Sequence, residues 1–115
     1  MGKRSRQRQK IAAPSTDYTD PDGSVLTLRG VLTPATRMQY AETLHGGLHR
    51  EDALARAQEL LFERLAVSWT IAEITTSRQK QLLQRYRVAT AAERAFVLEA
   101  LRAHLAENFP DLEAP

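Results

Sequence analysis

The densest concentration of potential chemistry in this chain of 115 residues is a run of cations: Lys3, Arg4, Arg6, Arg8 and Lys10 fall within the first ten residues, with no acid among them. Gln and Ser fill the gaps. Five point charges on a stretch without aromatic residues suit contacts to phosphate oxygens rather than to base edges, which demand fixed donor–acceptor geometry. A second basic group follows far along the chain. Arg78, Lys80, Arg85 and Arg87 occur with no acid between Glu73 and Glu93. The plainer readings are a solubilising tail for the first group and a solvated helix face for the second.

Other constellations fade on inspection. His45 and His49 are four apart and precede Glu51 and Asp52, a spacing that on one helix would put two imidazoles on one face, as zinc sites use. Gly46-Gly47 lies between them and breaks that geometry, so no metal site is expected. The glycine pair also stands ahead of a helix, where free backbone N–H groups can cradle phosphate. Here Glu51 and Asp52 already complement the helix dipole, and neither the dinucleotide nor the P-loop pattern is present. None of the five serines sits in a nucleophile-elbow sequence. The acids pair with arginines at helical spacing, as Asp52 does with Arg56 and Glu99 with Arg102. The absence of cysteine excludes disulfides, thiolate ligands and thiol nucleophiles together. The expectation is therefore a protein that is not an enzyme, with no cofactor and no small-molecule ligand.

These residues must be positioned by something, and the chain divides into an arm and a body. Residues 1–16 are basic, lack hydrophobic periodicity and are predicted to be a disordered arm. The 11 basic residues outside the arm's cluster face 14 acids, so a body of charge −3 carries an arm of charge +5. Residues 17–115 are expected to form one domain, opening with a β-hairpin over 17–31. Asp20-Pro21-Asp22-Gly23 is a turn signal. Thr16–Thr19 and the alternating Ser24–Arg29 flank it, with Leu26 and Leu28 on one face.

Four helices are predicted to follow. The first opens at Thr33-Pro34 and runs to about His45. The second runs from about Arg50 to Ile74, with Leu54, Ala57, Leu61, Leu65 and Trp69 along one side. Val67–Thr76 is rich in β-branched residues, which marks the region near Thr70 as the weak point where this helix would break. Trp69 reads first as core and second as a partner contact. The third helix spans about Arg78 to Arg87. The fourth begins at the capping box Thr90-Ala91-Ala92-Glu93 and buries Leu98, Leu101 and Leu105, with Phe96 and Val97 beside them. The last two helices are spaced like a helix-turn-helix, but Ala91, Ala92, Glu93 and Arg94 are poor equipment for entering a phosphate-lined groove.

The expected fold class is mainly α: a compact bundle of about four helices preceded by a short N-terminal β-hairpin and a disordered basic arm. No stretch approaches the roughly 20 apolar residues of a membrane span. The basic start is not followed by an apolar h-region, and Arg6 stands where myristoylation wants Ser or Thr. A cytoplasmic protein without membrane contact is expected. Arginine outnumbers lysine 13 to 3, a bias expected of a GC-rich bacterial genome. The leading functional expectation is a small binding protein whose arm engages the backbone of RNA or DNA. The competing one is a protein–protein adaptor or assembly factor whose helical body docks a partner.

Overall fold

The structure is a computed structural model that describes residues 14–115. Strand β1 (Ser15–Thr19) and strand β2 (Val25–Arg29) form the expected hairpin. Its first strand takes in Ser15 and Thr16, which the sequence division assigned to the arm. The turn closes as its residues require. Asp20 Oδ1 accepts the backbone N–H groups of Asp22 and Ser24, both at 2.9 Å, and Gly23 takes the left-handed φ of 89°.

Helix α1 (Pro34–Leu44) starts where Thr33 accepts from the Thr36 N–H, and it stops before Gly46-Gly47, the second of which has φ 84°. Helix α2 (Arg50–Leu65) then departs from expectation. It does not run on to Ile74. The chain passes directly into strand β3 (Ala66–Ile71), turns through Ala72 and Glu73, and returns as strand β4 (Ile74–Thr76). The four strands make one antiparallel sheet in the order β1-β2-β3-β4. The mainly helical bundle is thus corrected to a mixed fold, with 53% of the described residues in helix and 19% in strand, in which the sheet is a full layer. The cause lies in Val67, Thr70, Ile71, Ile74, Thr75 and Thr76. Branching at Cβ costs χ1 freedom against a preceding helical turn and none on a pleated surface. A short hairpin needs further strands beside it, and the second hairpin supplies them.

The register explains how β3 buries two residues of opposite parity. Thr27 pairs with Ser68 but Leu28 pairs with Ala66, so Val67 is an extra, bulged residue. Strict alternation would put Ala66 and Trp69 on opposite faces; the bulge turns both inward, where they are 4% and 1% exposed. Trp69 is core, as its apolar neighbours suggested, but on a strand rather than on a helix. It lies beside Leu26, with its ring edge against Phe62.

Helix α3 (Gln79–Arg87) and helix α4 (Ala91–Asn108) complete the helical layer. The capping box forms in both directions: Glu93 N–H donates to Thr90 Oγ1, and Thr90 N–H donates to Glu93 Oε1. The buried seam of α4 is Val97, Ala100, Leu101, His104 and Leu105, with Leu98 and Phe96 half-buried beside it. Helix α2, buried through Ala53, Ala57, Leu60, Leu61, Phe62 and Leu65, packs against α1, α3 and α4. The segment after α4 folds back over the core: Phe109 is 2% exposed, and the Glu113 carbonyl accepts from the Tyr40 hydroxyl at 2.6 Å. Among the described residues no helix is long and apolar enough to cross a membrane.

Candidate nucleic-acid interface

Lys3, Arg4, Arg6, Arg8 and Lys10 lie outside the described residues. The point from which they extend is within them. The Pro14 carbonyl accepts from the Gly30 N–H at 2.7 Å, just beyond the paired residues Ser15 and Arg29. A Cβ on Gly30 would come within 3.2 Å of the Pro14 ring and carbonyl, so glycine permits this close seating. The arm therefore begins next to the end of β2 that carries Arg29.

The second basic group is divided by the fold. Arg78 is the N-cap of α3 and Lys80 lies in its first turn; both are exposed, and neither makes an ion pair among the described residues. Arg85 and Arg87 are already engaged. Arg85 donates to Glu93 at 2.8 Å and lies over the Trp69 ring, 5.5 Å from its centroid. Arg87 pairs with Glu59 across the α2–α3 interface. The hydrogen bond from Arg85, followed by that from the Thr90 N–H, holds the Glu93 carboxyl below its ordinary value. Two of the four cations thus tie helices together, and two make no ion pair among the described residues.

Two cations that the linear reading passed over lie together in the fold. Arg29, at the end of β2, and Arg64, in the last turn of α2, line a groove of about 430 Å³ with Thr33, Ser77 and Gln79, and no acid lines it. Neither arginine makes an ion pair among the described residues. Arg64 sits where the negative end of the helix dipole favours a cation. The Gln79 amide is fixed by donating to the Glu63 carbonyl at 3.1 Å, and this holds the start of α3 against the end of α2. The groove gathers the ends of β2 and α2 and the starts of α1 and α3. Arg29 and Arg64 are brought together only by pairing of β2 with β3, whose existence the helical reading of 66–74 denied. The one linear clue was Arg29 at the outward, terminal position of the first hairpin.

The histidine pair separates. His45 caps the end of α1 and its Nε2 lies 2.9 Å from Glu113 Oε1, while His49 precedes α2 and is exposed. Among the described residues no group of three or more metal-ligating side chains gathers. Comparison of the chain with known protein families, curated proteins and solved structures finds no match.

Proposed function

We propose that this chain is a small, non-enzymatic binding protein that engages the phosphate backbone of RNA or DNA. The arm supplies Lys3, Arg4, Arg6, Arg8 and Lys10, the groove supplies Arg29 and Arg64, and Arg78 and Lys80 are next in sequence to the groove residues Ser77 and Gln79. The observation that supports this reading most is the seat of the arm. Pro14 is anchored to Gly30, directly beside Arg29, so the arm leaves a body of net negative charge next to an acid-free groove. Phosphate contacts of this kind position a nucleic acid without reading its sequence.

Binding of a labelled oligonucleotide across a salt series tests the proposal. Affinity should depend little on sequence and fall with salt. On duplex DNA the arm alone allows a slope of log K against log salt no steeper than about −4.5, from roughly −0.9 per neutralised phosphate. Replacing the five arm cations with glutamine should remove most of the affinity and leave the fold intact. Failure of the intact protein to bind RNA or DNA at low salt, where attraction is greatest, overturns the proposal and leaves the adaptor reading.

A further inference from the structure

All seven aromatic side chains of the protein lie within the described residues, and none of them lines the groove of Arg29 and Arg64. Tyr40, Phe62, Trp69, Tyr86 and Phe109 are 4% exposed or less. Ring faces among these are already engaged. Phe62 stacks on Tyr86 with centroids 4.8 Å apart, while Arg85, Arg94 and Arg37 lie over Trp69, Tyr86 and Phe109. Tyr18 and Phe96 are only half-buried. Both border recesses between the turn of the first hairpin and α4. Phe96 stands there with Asp20, Asp22, Glu93 and Glu99, Tyr18 with Asp20 and Glu99, and no cation lines either recess. Where a base could find a ring, its phosphate meets carboxylates.

This separation bears on the form of nucleic acid that the cations suit. Proteins that hold single strands combine a basic track with aromatic faces on which successive bases stack. Here the arm contains no aromatic residue, and the groove offers arginines, polar side chains and aliphatic ones. A double helix needs no such faces, because its bases stack on one another and its outside is phosphate. It also presents one charge per about 1.7 Å of axis, twice the density of either of its strands.

We infer that the partner is a double-helical nucleic acid, held from outside with its strands paired, rather than a single strand. This rests on the proposed backbone contact and adds the form of the polymer. Counterion release sets the size of the preference. Each neutralised phosphate contributes roughly −0.9 to the salt slope on a duplex and roughly −0.7 on a single strand. With the five arm cations, Arg29 and Arg64 all engaged, affinities that are level at about 1 M salt separate by about 25-fold at about 0.1 M.

One strand that cannot pair with itself, alone and annealed to its complement, as DNA and as RNA, provides the probes. At about 0.1 M salt a duplex should bind roughly tenfold or more tighter than its single strand. That advantage in DNA, in RNA or in both supports the inference and names the source. A 2-aminopurine inside the duplex should stay quenched on binding, since the bases remain stacked. Phe96→Leu keeps an apolar side chain, removes an accessible ring, and should leave single-strand affinity unchanged. Single strands held as tightly as duplexes, brightening of the 2-aminopurine, or loss of single-strand affinity in Phe96→Leu would each overturn the inference and leave backbone binding standing. Absence of binding to every probe at low salt overturns the backbone reading itself, and the duplex preference with it.

Discussion

The Tyr18 hydroxyl on β1 lies 2.8 Å from Nδ1 of His104 on α4, although the two residues are 86 apart in the chain. The other ring nitrogen of His104, Nε2, lies 2.7 Å from the backbone carbonyl of Arg29. A carbonyl can only accept, so Nε2 carries the hydrogen, Nδ1 is the acceptor, and the Tyr18 hydroxyl donates to it. The Asn108 amide donates to the His104 backbone carbonyl at 3.2 Å, beside the same ring. One fully buried imidazole therefore joins α4 to both strands of the first hairpin, immediately behind the backbone of the groove residue Arg29.

Removing this clamp should loosen the groove as well as the fold. Tyr18→Phe deletes one donor and should cost about 1 kcal/mol. His104→Leu strands both the Arg29 carbonyl and the Tyr18 hydroxyl and should cost about 2 kcal/mol or more. Urea unfolding checks both: the midpoint should fall with the slope unchanged. Equal midpoints for the wild type and His104→Leu would mean that the clamp carries no stability.

What the sequence revealed depended on how local each signal was. The Asp20–Gly23 turn, the Thr33-Pro34 start, the glycines after α1 and the Thr90–Glu93 capping box are each written within a few neighbouring residues. Each appears in the structure as expected. The stretch 66–76 was ambiguous because Leu61, Leu65 and Trp69 continue a helical spacing while the branched residues between them favour a strand. Only pairing with β2, about 40 residues upstream, decides between the two. His104 carries no local mark of burial at all. Its neighbours Leu101 and Leu105 define the seam, and the polar partners that make its burial tolerable come from β1 and β2. Arg29 and Arg64 were hidden for the same reason, since the groove exists only once β2 and β3 lie side by side.

The three tyrosines of the chain should resist ionisation together. Burial, reinforced by the charge of Glu113, pushes the Tyr40 hydroxyl up to about 12. Burial likewise raises Tyr18, with help from Glu107, and Tyr86, where Arg94 opposes and Glu59 assists. In the unfolded chain a tyrosine ionises near about 10. The folded state holds these protons longer, so this part of the stability is full below about pH 10 and is lost as pH rises from there through the folded values. Phenolate absorbance of the folded protein should therefore rise at higher pH than that of the urea-unfolded chain. A separate tyrosine step near the ordinary value, with the fold intact, would contradict the burial of these hydroxyls.

Glu93 supplies the opposite limb. Its carboxyl is held low in the folded state, chiefly by Arg85, so its contribution is full above the unfolded value of about 4.3 and disappears as pH falls through the folded one. Glu93→Gln keeps a side chain that can still close the capping box but removes the charge. The substitution should cost about 1 kcal/mol or less at neutral pH, the range for a partly exposed ion pair near a helix start. Stability curves of the two proteins should converge in acid. A gap that stays constant down to the lowest pH would place the cost in packing rather than charge.

The sharpest test of the groove separates it from the arm and from net charge. Arg29→Gln with Arg64→Gln, in a protein whose arm is intact, should make the duplex salt slope shallower by up to about 1.8, from roughly −0.9 for each phosphate that is no longer neutralised. Arg50→Gln with Arg56→Gln removes the same charge from the far part of α2. Arg50 and Arg56 lie about 21 and 12 Å along that helix from Arg64, both beyond the screening distance of roughly 8–10 Å. The slope of this second variant should match the wild type. Arg87→Gln with Glu59→Gln keeps the net charge and dissolves only a helix-to-helix pair, so it too should leave the slope unchanged. Equal slopes for the groove variant and the Arg50/Arg56 variant would reduce the groove to general electrostatics and leave the arm as the whole interface. A shallower slope for the groove variant alone requires that Arg29 and Arg64 touch phosphate, with the arm and the body gripping the same backbone.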